Sequence, residues 1–147
     1  MKPMEQSSRR RRVSGGNVIL ETAIVFLGLS VLLLGAFDMG QYLFVHQALV
    51  ERARYAARWG AVNNPGDSTS ITNMVLYYQA AAPSAGTPSL FNLTSDNVQV
   101  STPDAGTDNY RLVVQISGYS WTVLSPYIAG NYTGPAITVT VPLGLYN

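Results

Sequence analysis

The chain has 147 residues, a formal net charge of +1 and no cysteine, which suits one modest domain plus an anchor and excludes disulfides, thiolate metal sites and cysteine nucleophiles. The charge is uneven: residues 1–16 hold five basic groups and one acid, whereas residues 17–147 hold four basic groups and seven acids. No lysine follows Lys2, so the body offers no basic face for nucleic acid, and a basic tip on a mildly acidic body suits a membrane protein.

The basic tip is Lys2 with Arg9, Arg10, Arg11 and Arg12, followed by Gly15-Gly16. From Val18 to Phe37 the chain is apolar except at Glu21, Thr22 and Ser30. About 20 apolar residues are needed for a helix to cross the hydrocarbon core. A secretory signal peptide has an apolar region of only about 7–15 residues and a small-residue cleavage site, and Leu34-Gly35-Ala36 makes a poor one. The run therefore reads as a retained span over 17–38. The arginine run lies on its amino-terminal side and only Arg52 and Arg54 lie close beyond it. This bias places residues 1–16 in the cytoplasm as a leader and residues 39–147 outside.

The helical pattern continues past the span. Before Gly60 and Asn63-Asn64-Pro65-Gly66 no stop signal occurs, so Asn17 to Val62 reads as one helix about 70 Å long. Its outer part, 39–62, is amphipathic. Ala53, Ala57 and Ala61 share one face, with Leu49, Ala53, Ala56 and Gly60 on an adjacent stripe. Small residues at four-residue spacing admit a close backbone, either another helix or the protein's own sheet. Gly35 and Gly40 beside Asp38 offer the same opening to a neighbouring helix, and Asp38 itself marks the outer interface.

Residues 63–147 read as a small α+β domain. A second helix is expected over Ile71–Ala82, ended by Pro83, and a Pro/Ser/Gly/Thr-rich loop follows to Ser89. Period-two alternation then predicts three half-buried strands: Val98 to Ser101, Tyr110 to Ser117, and Ile137 to Leu143. Residues 102–106 form a hairpin loop between the first two, and Ser125-Pro126-Tyr127 with Gly130 to Pro135 an irregular connection to the third. A three-stranded sheet with one apolar face needs a cover, and the outer part of the long helix supplies it. The expected architecture is thus a long helix packed on a small three-stranded antiparallel sheet, lollipop in outline.

Motifs for chemistry are few. His46 is the only histidine, so no multi-histidine metal site can form. No nucleophile elbow and no phosphate-binding glycine loop occurs, and Asp104 and Asp108 around Gly106 match no established calcium loop. The chain is expected to be no enzyme and to need no cofactor or metal. Glu21 stands out, because an acid inside a span is a functional hypothesis by default. In one reading it is an interfacial acid reaching back to headgroups. In the other, a cut between Gly16 and Asn17 makes it the fifth residue of the mature chain. It then sits at a helix amino terminus, where the macrodipole favours a carboxylate, and can neutralise the new ammonium group of a neighbouring subunit. That pairing would fix axial register, since an unpaired acid in hydrocarbon is expensive.

This arrangement of basic leader, Gly16, Glu21 and apolar helix resembles the class III signal leaders of the type IV pilin group. More narrowly, Gly35-Ala36-Phe37-Asp38-Met39-Gly40 and Val50-Glu51-Arg52-Ala53-Arg54-Tyr55-Ala56-Ala57-Arg58 resemble segments of TadE-like minor pseudopilins of tight-adherence (Tad/Flp) pilus systems. The likeness is specific over about residues 14–62 and architectural beyond. The chain departs from that family at Thr22, where it usually has Phe or Tyr, and around Gly28, where a proline is common. The resemblance implies cleavage after Gly16 by a prepilin peptidase and residence in the bacterial inner membrane or a surface pilus. It also implies contacts with other pilins, pseudopilins and inner-membrane assembly proteins. The other reading from the residues is an uncleaved, single-pass anchored domain that binds a ligand or partner outside.

Overall fold

A computed structural model of the chain describes residues 15–124 and 130–144. The arginine run, Ser125-Pro126-Tyr127 and the last three residues lie outside the described residues.

Helix α1 runs from Gly15 to Asn63 as 49 continuous residues, slightly longer at both ends than the sequence predicts. Its most apolar stretch has a mean hydropathy of 2.4, and it is long and apolar enough to cross a membrane. The two hydroxyls in that stretch are satisfied by the helix itself: Thr22 Oγ1 donates to the Val18 carbonyl and Ser30 Oγ to the Phe26 carbonyl, each at 2.8 Å. Such back-bonding leaves no unmet hydroxyl on an apolar surface. The helix ends one residue past the expected Val62, at the predicted turn. Asn64 Oδ1 accepts from the Gly66 N–H at 3.0 Å, closing an Asx turn.

Helix α2 spans Ser68–Tyr77, which corrects the expected Ile71–Ala82 at both ends. It starts earlier because Asp67 is an N-cap whose side chain accepts from the Ser70 N–H at 3.0 Å, satisfying a donor the helix cannot. It stops five residues before the expected end because Tyr78 turns left-handed, φ 62° and ψ 25°, with its N–H bonded to the Met74 carbonyl. A tyrosine in that conformation costs about 1–2 kcal/mol. The ring is held by Tyr55, stacked with centroids 4.4 Å apart, and by the Arg52 guanidinium 4.5 Å from its centre.

Two short 3-10 turns lead into the sheet. Strands β1 (Val98–Ser101), β2 (Arg111–Ile116) and β5 (Ile137–Pro142) pair antiparallel in the order β1-β2-β5. The register places Val98, Ile116 and Ile137 on one rung and Val100, Val114 and Val139 on another, with Leu112 opposite Val141. These alternating positions line one face. Leu112, Val114 and Ile116 are fully buried, with Leu49, Ala53, Ala56 and Ala57 of α1 and Ile71 and Val75 of α2 in the same core. The expected fold, a long helix on a small three-stranded antiparallel sheet, is what the chain adopts. The small residues of α1 are required by the packing. A Cβ added to Gly60 would lie 2.6 Å from Ile71 Cδ1 and 3.0 Å from Leu112 Cδ2.

The connection between β2 and β5 is more ordered than the sequence reading allows. Strands β3 (Ser120–Thr122) and β4 (Asn131–Thr133) form a second, two-stranded antiparallel sheet with Trp121 opposite Tyr132. Residues 131–133, expected to be irregular, are therefore a strand.

Candidate functional site

The chain divides its surface along α1. Twelve of the thirteen Leu, Ile, Val and Phe side chains between Val18 and Phe37 are exposed, at 46–73 % of their full area, and Leu34 is half-buried. Monomeric soluble proteins rarely expose a contiguous apolar patch above a few hundred Å², so this surface calls for lipid or protein around it. Glu21 stands exposed within it, bordered by Asn17, Leu20, Ile24 and Val25 along the helix groove. Among the described residues Glu21 has no hydrogen-bond or ion-pair partner. Gly16 lies in the first turn of α1 and Asn17 is exposed, so the Gly16–Asn17 bond and Glu21 stand little more than one helical turn apart. Arg9 to Arg12 lie outside the described residues.

The small-residue positions separate into two groups. Ala53 and Ala57 are fully buried against the chain's own body. Added Cβ atoms at Gly28, Gly35 and Gly40 would meet nothing within 4 Å, so these glycines leave the helix surface open. Asp38 joins neither group. It is buried, and its Oδ1 accepts from the Leu124 N–H at 2.7 Å. The acid expected to mark the outer interface and to pack beside a neighbouring helix also ties α1 to the segment after β3.

Asp38 is the lowest of three ties on one helix face. Four residues on, Tyr42 packs on Trp121 with ring centroids 5.3 Å apart. Four residues further, His46 Nδ1 lies 2.8 Å from the Tyr119 hydroxyl, either group donating according to the imidazole tautomer. Tyr42 stacks on His46 at 5.8 Å, and Trp121 packs tilted against Tyr132 at 5.5 Å. Burial, and then the neighbouring Tyr42, raises the Tyr119 phenol above its ordinary pKa. His46 thus has a structural hydrogen bond. The four-residue spacing of Asp38, Tyr42 and His46 was visible in the sequence; their partners, 73 to 86 residues away for the two hydrogen bonds, were not.

Elsewhere the chemistry is sparse. Asp104 forms an ion pair with Arg111 at 3.1 Å, which occupies one of the two acids weighed for calcium. Among the described residues no three of His, Cys, Asp or Glu gather as a metal site. A cleft of about 430 Å³ lies between α2 and the 82–87 loop; hydroxyl, amide and apolar groups line it, including Ser68, Thr72, Asn73 and Ser95. It holds no Asp, Glu, His, Lys or Arg for acid–base work. Arg52, which the sequence placed in the charge bias and within a motif, is half-buried, with Nη1 lacking a hydrogen-bond partner among the described residues. Burial pushes its guanidinium below the ordinary value, with Tyr78 opposing, and the Tyr78 face is the group that receives it.

Compared with known proteins, the chain matches no family model, no curated protein and no solved structure.

Proposed function

We propose that the chain is a minor pseudopilin or assembly subunit of a Tad/Flp-type pilus or secretion apparatus. It is cleaved after Gly16 by a prepilin peptidase and held in the bacterial inner membrane by residues 17–38, with its body outside. It works as a structural subunit rather than as an enzyme. The observation that carries this reading is Glu21: an exposed acid, unpartnered among the described residues, inside an apolar helix surface and five residues beyond Gly16.

The energetics permit such an acid. Thirteen Leu, Ile, Val and Phe side chains between Val18 and Phe37 favour insertion by about 0.3–0.6 kcal/mol each, together about 4–8 kcal/mol, while an acid at a helix centre costs about 2.5–3.5 kcal/mol. Insertion wins, and the remaining cost makes pairing of the carboxylate favourable. The new ammonium group of Asn17 on a neighbouring subunit is the partner that cleavage creates. Gly28, Gly35 and Gly40 leave room for that neighbour's backbone.

Intact-mass measurement of the chain from cells with and without the cognate peptidase tests the cut. The reading expects a mature chain beginning at Asn17 only when the peptidase is present; an intact leader in both overturns cleavage. Glu21→Gln keeps the size and removes the charge. It should leave the chain in the membrane and reduce its co-isolation with other pilins several-fold. Unchanged co-isolation and function would favour the uncleaved, anchored binding domain, which needs neither Gly16 nor Glu21.

A further inference from the structure

We infer that the β3–β4 hairpin rests in the outer headgroup layer of the bilayer, with Trp121 and Leu124 touching lipid. This rests on the reading of residues 17–38 as a membrane span.

The geometry sets the depth. The ties His46–Tyr119, Tyr42–Trp121 and Asp38–Leu124 step down α1 four residues at a time while the other strand steps up in number. From Tyr119 to Leu124 the chain therefore descends the helix by about 12 Å toward its apolar half, at 1.5 Å per residue. Asp38 lies 21 residues beyond Asn17, about 32 Å along the axis, against a hydrocarbon core about 30 Å thick. Asp38 and Leu124 thus stand at the outer edge of the core, and Trp121 about 6 Å above it. Headgroups extend the bilayer by about 5–8 Å on each side.

The side chains at that level suit lipid. Phe37, Met39, Leu43 and Phe44 on α1 are all at least half exposed, as is Leu124, whose N–H is bonded to Asp38 of the same helix. Trp121 and Tyr132 have the amphipathic rings that concentrate at membrane–water interfaces. The hairpin carries no charge: from Leu112 to Asn147 the sequence has no Asp, Glu, Lys, Arg or His, and Asp38 at its level is buried against it. The body's charged groups lie elsewhere, with Arg111 and Asp104 paired at the end of β2 away from the hairpin. A neighbouring protein could also cover aromatic rings, but the depth match and the uncharged stretch favour the membrane surface.

The two tryptophans, Trp59 and Trp121, make the test internal to the full-length chain. Trp59 lies 21 residues beyond Asp38, about 32 Å above it. Three chains are reconstituted in phosphatidylethanolamine–phosphatidylglycerol vesicles doped with lipids spin-labelled at the headgroup or deep in the acyl chain. Trp59→Phe reports Trp121, Trp121→Phe reports Trp59, and Leu27→Trp on the doubly Phe-substituted chain reports the span. Circular dichroism checks that each is folded. The expected result is headgroup-label quenching several-fold stronger at Trp121 than at Trp59, with the deep label quenching the Leu27→Trp chain. Equal quenching at Trp121 and Trp59, with the Leu27→Trp chain quenched, overturns the hairpin placement alone. A blue-shifted Trp121 that no lipid label quenches means that protein covers it, and also overturns the placement. An unquenched Leu27→Trp chain overturns the span and the placement together.

Discussion

The two halves of α1 share one backbone and differ in everything that surrounds it. Between Val18 and Phe37 the large side chains, Leu34 excepted, are exposed and the glycines open onto space. Between Leu49 and Gly60 the inward residues are mostly small, fully buried and pressed by Ile71 and Leu112. Large residues stand where the chain supplies no cover, and small ones where its own sheet comes close. The same residue type therefore means opposite things along the helix: Gly60 is needed for packing within the chain, whereas Gly35 is free to receive something else. Asp38 and the aromatic ties sit at the seam.

Substitutions matched across the seam test that contrast. The largest effect is expected for Leu112→Ala, which empties a fully buried position opposite α1 and should destabilise the body by about 2–5 kcal/mol. Leu32→Ala, at a position 73 % exposed, should leave the melting of the body unchanged in detergent. Gly60→Val comes next. Ile71 Cδ1 is only 2.6 Å from a new Cβ, and Ile71 is itself fully buried, so overpacking should cost about 1–3 kcal/mol. Gly35→Val should not shift the same melting curve; if the two glycines behave alike, the division of the helix is wrong.

Asp38→Ala tests the seam itself. It leaves the Leu124 N–H without its acceptor, a loss of about 1–3 kcal/mol. Hydrogen exchange should rise at 119–124 before it rises in β2. Uniform protection would mean that the tie contributes nothing.

The smallest effect is expected at Asp67. The Ser70 N–H holds its carboxyl below the usual value, the Ser70 side chain adds to this, burial opposes it, and the Thr69 N–H adds last. A depressed folded pKa stabilises the fold above the unfolded carboxyl value, about 3.9, and the contribution is lost as pH falls through the folded value. Asp67→Asn caps the helix without titrating. The wild-type chain should therefore lose melting temperature relative to Asp67→Asn only below about pH 4. A constant difference across pH would remove Asp67 as the titrating cap.

Much of this fold is written locally. The long helix and the three main strands follow from apolar periodicity, and the alternation along 112–116 gives the buried face directly. What escaped is set by contacts distant in sequence or by single residues. The early end of α2 depends on Tyr78 adopting a left-handed turn, which no propensity favours in tyrosine. Its early start was legible in Asp67 as a cap. Strands β3 and β4 are three residues each, too short for a period to register. Of the candidate site, the positions of Gly16 and Glu21 and the openness of Gly35 and Gly40 are sequence-level features. The turning of Asp38 onto Leu124 is a tertiary one.

The division of α1 between two surroundings is most directly measured by thiol accessibility, since the chain has no cysteine of its own. Single cysteines replace Leu20, Ile24, Leu27, Leu32, Tyr55 and Val62, all exposed within the isolated chain, and a membrane-impermeant maleimide is added to spheroplasts with intact inner membranes. The account predicts strong labelling at 55 and 62 and none at 20, 24, 27 and 32 until the membrane is dissolved. Equal labelling at all six positions in unbroken spheroplasts would contradict it.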